Sequence, residues 1–387
     1  MIYVTAVDES KDAADLERLR KRIDEVDTRL VELLAERMDI VSRVAAYKRR
    51  SGAQIRDVDR EQALLNARRD QAESLGLSPD PVESIYRLIL LASRDHQAST
   101  GAAAPRPITP AKVAIIGGNG AMGSVLQRLF GDLGHSITVA DHETALSVED
   151  AAAAADVVVL SVPIAETGAV IRQVGPHVRP DAILMDVTSI KAQPLSAMLD
   201  ATEAQVVGTH PMFGPGVHSL IGQRVVLCEG RGDRAMAWAR EMFSARGLVI
   251  TEAAADEHDR AMALVQVLTH FQTQVLGLSL ARCGVSLDES LRFTSPAYLM
   301  ELYVAARHFA QAPDLYGPIE MLNPGTERVT AAFRDAASEI SDILASGDQV
   351  RFDALFEEVR RYFGEFTEEA VYQSSFLVDR LVERSLG

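Results

Sequence analysis

The sequence predicts an α/β domain with a mainly parallel sheet, placed between two all-helical domains. Two observations support this fold class: helical apolar periodicity gives way to short apolar runs near Lys112, and it returns after about Thr251. A segment rich in Pro, Ala and small polar residues precedes the first change and is typical of a linker. The predicted segments are a helical domain at 12–98, the linker at 99–111, the α/β domain at 112–250 and a helical domain at 251–387.

The composition disfavours several classes of protein. The 387 residues hold 39 Lys and Arg against 55 Asp and Glu, and the net charge of −16 argues against nucleic acid and anionic membranes as partners. Two cysteines, Cys228 and Cys283, are too few for a disulfide framework or a cysteine-rich metal site, and we expect no metal. Because we find neither a secretory signal nor an apolar stretch of about 18 residues, we expect a cytoplasmic protein.

The first predicted helix carries an apolar seam with a misplaced charge. Its apolar residues alternate in steps of three and four: Leu16, Leu19, Ile23, Val26, Leu30, Leu33, Ile40, Val44 and Tyr47. Arg37 stands where this pattern requires an apolar residue, and a guanidinium there is costly unless an anion meets it. Lys48 follows about 16 Å further along the same face, and Arg20 lies beside the seam. On the third predicted helix, Ser93 and Gln97 continue an apolar stripe with polar groups.

These polar positions have two interpretations. The first is a helical hairpin that serves only dimerisation, in which Arg37 pairs with an acid. The second is a pocket inside a helical bundle, lined with cations and amide donors, which suits a small dicarboxylate. A hairpin for dimerisation alone would have no reason to place Arg37, Ser93 and Gln97 at apolar positions, and this favours the pocket.

Residues 15–97 resemble the all-helical class of chorismate mutase. The positions that match its active site are Arg20, Arg37, Lys48, Asp57, Arg60, Glu61, Ser93 and Gln97. The resemblance implies rearrangement of chorismate to prephenate, a pericyclic step without a cofactor, at a site built from two intertwined chains. It also implies that Asp57 holds neighbouring side chains in place, and that Arg60 and Ser93 contact polar groups of the substrate.

By the same resemblance, five residues carry the mutase chemistry. Arg37 and, from the partner chain, Arg20 would bind the two carboxylates of chorismate. Lys48 and Gln97 would donate to the ether oxygen, where negative charge develops as the C–O bond breaks. Glu61 would accept a hydrogen bond from the substrate hydroxyl.

A glycine-rich turn opens the α/β domain. Gly118, Gly120 and Gly123 follow the apolar run Val113–Ile116 and precede a predicted helix at Ser124–Leu133. Glycines at this spacing permit a tight turn and let a pyrophosphate approach the N-terminus of the helix. The order of strand, turn and helix therefore predicts a Rossmann-type domain that binds a dinucleotide.

The residues around this turn form the predicted cofactor site. Ala121 and Met122 belong to the turn itself, and Ser161 and Pro163 follow a later apolar run. Asp141 follows the next strand, where an acid binds the adenine ribose hydroxyls and repels a 2′-phosphate. The predicted cofactor is therefore NAD rather than NADP.

Polar loops also follow the later apolar runs, and one of them contains His210. The carboxyl ends of parallel strands meet at one edge of the sheet, where ligands bind. An imidazole with an ordinary pKa of about 6.5 suits a general base at neutral pH. Judged alone, however, a histidine in such a loop more often has a structural role.

The two domains beyond the linker resemble prephenate dehydrogenase, whose signature His-Pro-Met-x-Gly begins here at His210. The resemblance implies that His210 accepts the proton of the C4 hydroxyl of prephenate, while hydride passes to NAD and CO₂ leaves. Ser189 would hydrogen-bond the same hydroxyl, and Arg307 would bind a substrate carboxylate. Gln266 and His270 match helix positions that face the substrate.

Across the whole chain the resemblance is to bifunctional chorismate mutase–prephenate dehydrogenases, which implies a homodimer joined through the C-terminal helices. Two departures concern the substrate: Pro215 and Gly216 stand where an acid often follows the signature, and Leu299 replaces a second arginine. One alternative is a dehydrogenase that prefers arogenate, whose ammonium group calls for an acid; the missing acid argues against it. The other is a non-catalytic, NAD-sensing dimeric protein, which the matched polar positions disfavour.

Overall fold

The computed structural model describes residues 9–51, 58–99 and 108–385, and it confirms the predicted fold class. The N-terminal domain consists of α1 (Glu9–Ser51), α2 (Val58–Ser74) and α3 (Pro79–Ser99). Helix α1 has 43 residues and is therefore about 65 Å long, whereas α2 and α3 have 17 and 21. Helix α3 packs against both α1 and α2.

The two shorter helices leave much of α1 uncovered. Val41 and Ala45, which lie beside the apolar seam, are buried in the helix interface. The seam itself is exposed along its length, since Leu16 is 48%, Ile23 59% and Tyr47 63% accessible. An apolar stripe of this length on a single chain needs a further packing partner.

The α/β domain is built on a twisted sheet of strands whose residues are almost continuously apolar. Within the described residues its strands are β1 (Lys112–Ile116), β2 (Ser136–Ala140), β3 (Val157–Leu160), β4 (Ile183–Asp186), β5 (Gln205–Pro211), β6 (Arg224–Arg231) and β7 (Val249–Glu252). Their order is β2-β1-β3-β4-β5-β6-β7. Strands β1 to β5 are parallel, and β1, β3, β4 and β5 are almost fully buried, as expected for strands of this composition, whereas the edge strand β2 is partly exposed.

The far edge of the sheet differs from a purely parallel arrangement. Strand β6 pairs antiparallel with β5, and β7 then pairs parallel with β6. The sequence did not reveal β7, because its residues are mostly exposed and lack a clear apolar pattern.

Helices cover both faces of the sheet. They are α4 (Ala121–Asp132), α5 (Val148–Ala154), α6 (Ile164–Val174), α7 (Ala192–Ala201) and α8 (Asp233–Ala245). One core packs Phe130 and Phe243 against one face of the sheet, and a second core packs Ile171 and Met198 against the other. This layered arrangement leaves the carboxyl ends of β1 to β5 together at one edge.

The C-terminal domain is helical, as predicted, but more divided than the sequence suggested. Its elements are α9 (Ala255–Met262), a π-helical segment (Ala263–Leu268), α10 (Thr269–Arg282), α11 (Leu287–Leu291), α12 (Pro296–Phe309), α13 (Pro313–Met321), α14 (Thr326–Ser346), α15 (Gln349–Phe363) and α16 (Phe366–Ser385). Helix α13 begins at Pro313, in a position where proline is well tolerated because the first turn of a helix does not need its N–H. Gly364, in the left-handed region with φ of 51°, separates α15 from α16. In the part of the chain that the structure covers, none of the helices has the length and apolar character of a membrane span.

Candidate active sites

The misplaced polar residues of α1 and α3 meet one another. The guanidinium of Arg37 is half-buried and donates from Nη1 to Oγ of Ser93, which is itself buried. Gln97 lies one turn further along α3, is also buried, and donates from Nε2 to the carbonyl of Ser93 at 3.2 Å. The interface of α1 and α3 therefore holds a cation and an amide donor among apolar side chains.

Helix α2 adds an acid to this region. Arg94, which follows Ser93 on α3, donates from Nη1 to Oε2 of Glu61 at 2.7 Å, and both side chains are mostly buried. Arg60 is exposed beside Glu61. Lys48 lies near the end of α1, but its side chain is outside the described part of the structure, as is the whole of Asp57.

Arg20 lies far from the other predicted mutase residues of the same chain. It precedes Arg37 by 17 positions on one continuous helix, a separation of about 26 Å. Its side chain is 65% exposed and lies 3.8 Å from Glu17. The chain therefore does not bring Arg20 to its own Arg37.

The glycine-rich turn follows β1 and requires more glycines than the three-glycine pattern alone indicated. Gly117 has φ of +78°, and a Cβ there would lie 2.4 Å from the carbonyl oxygen of Ser161. A Cβ on Gly123 would lie 2.4 Å from the carbonyl oxygen of Gly118. Both positions are therefore restricted to glycine, by backbone conformation at the first and by close packing at both.

Two helix N-termini open at the same edge of the sheet. Helix α4 begins with Ala121 and Met122 directly after Gly120, and α6 begins after Pro163. Unpaired N–H groups at such termini attract phosphate. The turn and these two termini together form a site suited to a pyrophosphate.

Asp141 stands at the end of β2, beside the turn. Its Oδ2 accepts the backbone N–H of Asn119 at 3.1 Å, and its Oδ1 accepts the N–H of His142 at 2.8 Å. Burial raises the pKa of this carboxyl, but the N–H donors and His142 outweigh that effect, so the pKa is lowered. Asp141 is therefore ionised next to the predicted dinucleotide site.

A chain of hydrogen bonds holds His210 at the end of β5. His210 is buried, and its Nδ1 lies 2.8 Å from Nε2 of His258 on α9. Nδ1 of His258 in turn lies 2.8 Å from Oδ1 of Asp259. The Asp259 carboxylate also accepts the backbone N–H groups of Lys191 at 2.8 Å and Ala192 at 2.9 Å, where α7 begins.

This chain fixes which nitrogen of His210 carries a proton. Burial raises the pKa of Asp259, but the hydrogen bonds from His258 and from the two backbone N–H groups lower it by a larger amount. The pKa is therefore lowered overall, and the carboxyl group is ionised and only accepts hydrogen bonds. His258 therefore donates from Nδ1, and its Nε2 accepts from Nδ1 of His210. Burial, followed by the charges of His258 and Lys191, lowers the pKa of His210 well below its usual value. Nε2 of His210 then carries a lone pair and no proton, as a general base requires.

Nε2 of His210 faces a helix of the C-terminal domain. Nε2 of Gln266, in the π-helical segment, lies 3.4 Å from Nε2 of His210. Oε1 of Gln266 is buried and has no hydrogen-bond partner among the described residues. Ser189 is half-buried in the loop after β4, and in the described part of the chain it makes no hydrogen bond to His210. Beside His210, the oxygen of Gln266 therefore remains as an unused hydrogen-bond acceptor.

A buried ion pair lies beneath the base and was not identified from the sequence. Lys191 is fully buried, and its Nζ donates to Oδ2 of Asp186 and, at 2.7 Å, to the carbonyl oxygen of Thr209. The pair links the ends of β4 and β5, directly before His210. A lysine in a loop sequence gives no signal that distinguishes this arrangement from an exposed residue.

The remaining predicted dehydrogenase residues lie further along the C-terminal helices. His270 is one turn beyond Gln266, on α10, and it lies near His308 and Glu320. Arg307 is exposed on α12, immediately before His308, and no contact among the described residues joins it to His210. No three His, Cys, Asp or Glu side chains in the described ranges are grouped as metal ligands.

The geometry is that of an oxidoreductase with a dinucleotide-binding turn and a buried imidazole. This part is fused to a helical domain with a polar, cation-containing cluster. Comparison with known families agrees with each part. Residues 19–98 match the family Chorismate mutase type II. Residues 131–252 match Prephenate dehydrogenase, nucleotide-binding domain, and residues 254–358 match Prephenate dehydrogenase, dimerization domain.

Curated relatives share the whole arrangement. The T-protein of Enterobacter agglomerans is 37% identical over 366 residues, which covers 94% of this chain and 97% of the relative. The T-protein of Haemophilus influenzae is 34% identical over 372 residues, with 96% and 98% covered. The chain therefore belongs to the T-protein family: it is a bifunctional chorismate mutase and prephenate dehydrogenase of tyrosine biosynthesis, as the residue matches predicted.

A solved structure supports the fold of the last two domains. The prephenate dehydrogenase of A. aeolicus, in complex with hydroxyphenyl propionate and NAD⁺, superposes with a TM-score of 0.56 at 16% identity. It covers 66% of this chain and 98% of its own. The nucleotide-binding and dimerization domains thus share one architecture with that enzyme.

Proposed function

We propose that the N-terminal helices rearrange chorismate to prephenate at the cluster around Arg37. The observation that carries this assignment is the convergence of Arg37, Ser93 and Gln97, all at positions where the helix pattern calls for apolar residues. Arg37 binds a substrate carboxylate, and Glu61 accepts the substrate hydroxyl. Gln97 and Lys48 donate to the ether oxygen, and donors fixed in advance stabilise the charge that develops there.

We propose that His210 is the general base of the dehydrogenase. The hydrogen-bond chain from Asp259 through His258 carries this assignment, because it leaves Nε2 of His210 unprotonated and facing the cleft. Nε2 takes the proton of the C4 hydroxyl as hydride leaves C4 and CO₂ leaves C1. The electron pair of the broken C–C bond then completes an aromatic ring, which makes the overall reaction strongly favourable.

The other residues of the cleft position prephenate. Ser189 and Gln266 hydrogen-bond the hydroxyl end of the substrate, where Oε1 of Gln266 is unused. His270 and Arg307 serve the opposite end of the substrate, which carries the carboxylates. Two observations support these assignments: the helical segments that carry Gln266 and His270 follow one another beside His210, and all four residues match the positions of the family pattern.

The cofactor that we propose is NAD, which supplies the hydride acceptor when bound. The turn around Gly117, Gly120 and Gly123 would hold its pyrophosphate, and the ionised Asp141 would bind the adenine ribose hydroxyls and repel a 2′-phosphate. The thiols of Cys228 and Cys283 are free, in agreement with a reducing, cytoplasmic location.

We also propose that the enzyme is a homodimer with intertwined mutase helices. The apolar seam of α1 is exposed along its whole length, and α2 and α3 do not cover it. The α1 helix of a second copy would bury this seam and carry its own Arg20 to the Arg37 cluster of the first chain. The dimerization domain gives a second point of contact.

Product analysis tests both activities in one experiment. With chorismate alone the enzyme should form prephenate, and with added NAD it should form 4-hydroxyphenylpyruvate. Arg37→Ala should lower the mutase rate by at least about 100-fold and leave prephenate oxidation intact. His210→Asn should abolish prephenate oxidation but preserve the mutase and NAD binding.

Each variant of this pair controls for the folding of the other domain. Survival of mutase turnover in Arg37→Ala would contradict the mutase site. Loss of NAD binding in His210→Asn, measured by calorimetry, would contradict the role of His210 as a base.

A further inference from the structure

The mutase domain holds an arginine beside the proposed site that the matched pattern does not explain. Arg94 on α3 is not one of the eight matching positions. Its Nη1 donates to Oε2 of Glu61 on α2 at 2.7 Å, and the two side chains are only 19% and 16% exposed. Arg94 directly follows Ser93, which accepts from Arg37 on α1. The ion pair therefore lies where α3 packs against both other helices of the domain.

The Arg94–Glu61 pair borders the cluster around Arg37. Residues three and four positions apart are neighbours on the surface of a helix. Gln97 follows Ser93 by four positions and Arg94 by three, so it lies next to both. These three residues of α3 thus form one polar patch, which reaches Arg37 on α1 and Glu61 on α2.

Stability alone does not account for this ion pair. A second ion pair already joins the same two helices, since Nη1 of Arg69 on α2 lies 2.6 Å from Oε2 of Glu83 on α3. A mostly buried ion pair gains little stability over apolar residues of similar volume, because both charges lose their hydration. The position of Arg94 and Glu61 inside the helix interface therefore points to a function in the site.

The charge of Arg94 matters for the substrate that the mutase binds. Chorismate carries two carboxylates, and like charges at short range repel one another. The guanidinium of Arg94 offsets the charge of Glu61, and their contact also orients the Glu61 carboxylate. Because a carboxylate has about four lone-pair sites, the ion pair leaves Glu61 able to accept the substrate hydroxyl.

We propose that Arg94 is a positioning residue of the mutase, which orients Glu61 and offsets its charge while the substrate hydroxyl binds there. The proposal rests on the assignment of Glu61 to the mutase site. Arg94 acts through Glu61 and does not itself contact chorismate. Its removal should therefore weaken catalysis only while the residue at position 61 is a carboxylate.

A double-mutant cycle in the full-length enzyme tests this dependence. It compares the mutase kcat/KM of the wild type, Arg94→Met, Glu61→Gln and the protein that carries both changes. Arg94→Met alone should lower kcat/KM about 10- to 100-fold, the effect of one charge-assisted contact. KM should rise, because loss of the cation strengthens the repulsion between Glu61 and the dianionic substrate.

The second half of the cycle gives the distinguishing result. In the Glu61→Gln background, Arg94→Met should change kcat/KM by less than about threefold, since a neutral amide needs no counter-charge. Arg94→Lys retains the positive charge but not the planar guanidinium, and it should recover part of the activity that Arg94→Met loses.

Two controls separate this role from folding. Arg87→Met removes an arginine seven positions earlier on α3, where it forms an ion pair with Glu83 and is 50% exposed. Because exposed ion pairs contribute little, this variant should match the wild type in mutase activity. Prephenate oxidation, which takes place in another domain, should be the same in every variant.

Three results would overturn the proposal. Wild-type kcat/KM in Arg94→Met would show that the ion pair has no part in the mutase reaction. An equal loss from Arg94→Met in both backgrounds would show that Arg94 does not act through Glu61. If Glu61→Gln kept full mutase activity, the assignment of Glu61 would fail and the proposal with it. The cluster around Arg37 would still be tested separately by Arg37→Ala.

Discussion

The proposed base of the dehydrogenase, His210, is held in place by a chain of buried residues. Asp259 is held by two backbone N–H groups at the start of α7, and His258 passes this constraint to His210. The arrangement determines the tautomer of His210 and its orientation, while burial keeps its pKa low. The imidazole of His210 is therefore neutral at pH 7, because the site is deeply buried.

Replacing His258 should therefore change the pH dependence of the dehydrogenase. His258→Leu removes the acceptor for Nδ1 of His210, and we expect kcat for prephenate oxidation at pH 7 to fall about 100-fold. His258 also lowers the pKa of His210, so the acid limb of the kcat/KM profile should move to higher pH in this variant. His258→Gln retains an oxygen acceptor and should recover part of the rate.

The matched control is the mutase activity of the same proteins, which should not change. A uniform loss of dehydrogenase activity in both variants, with the acid limb unmoved, would show that His258 only supports the fold.

For single residues of the dehydrogenase site, the sequence singled out some and missed others, and the difference has a physical reason. His210 belongs to a contiguous signature, so the sequence could single it out as a candidate. His258 and Asp259 form an adjacent pair, but their role depends on contacts with residues 48 and 68 positions away, which no local pattern reveals.

At the scale of the elements, the turn between β1 and α4 has a tightly constrained backbone at Gly117. Gly117→Ala would introduce both a strained backbone, at φ of +78°, and a Cβ 2.4 Å from the carbonyl oxygen of Ser161. We expect a loss of about 1–3 kcal/mol in unfolding free energy and weaker NAD binding. Thermal unfolding and calorimetric titration with NAD measure the two effects.

Gly284 offers a matched control for this experiment. It has nearly the same φ, +76°, but a Cβ there would meet nothing within 4 Å. Gly284→Ala should therefore show the cost of backbone strain alone and leave NAD binding unchanged. Equal effects of the two substitutions on NAD binding would contradict a role for close packing at the turn.

Element boundaries followed from the sequence where the apolar pattern was strong. The apolar run of β1 was clear in the sequence because central parallel strands are buried on both faces. The antiparallel pairing of β6 was not visible, because strand direction depends on how the chain returns to the sheet rather than on its composition. The seam of α1 was predicted correctly as apolar, but the sequence did not show that its own chain leaves it exposed.

For the whole molecule, the central question is whether one chain can form a complete mutase site. A helix of 43 residues separates Arg20 from Arg37 by about 26 Å, and folding back is impossible without breaking it. The exposed seam and the distance between the two arginines have one common solution, a second α1 helix packed along the first. The mutase site and the dimer would then be the same structure.

Paired variants test this directly. Arg20→Ala and Arg37→Ala should each abolish mutase activity as homodimers, because every site lacks one carboxylate ligand. In a heterodimer of the two, one site combines Arg37 from the first chain with Arg20 from the second and is intact. The other site lacks both arginines. A heterodimer purified with two different affinity tags should therefore recover about half of the wild-type mutase activity.

The dehydrogenase activity of the same heterodimer is the internal control, since neither substitution lies in that domain. Arg20 acting within its own chain predicts the opposite result: each chain of the heterodimer would then hold one defective site, and no mutase activity would return. Recovery of activity would establish that the two chains exchange Arg20. It would also explain why α1 is long, apolar and exposed in the isolated chain, since its outer half serves the active site of its partner.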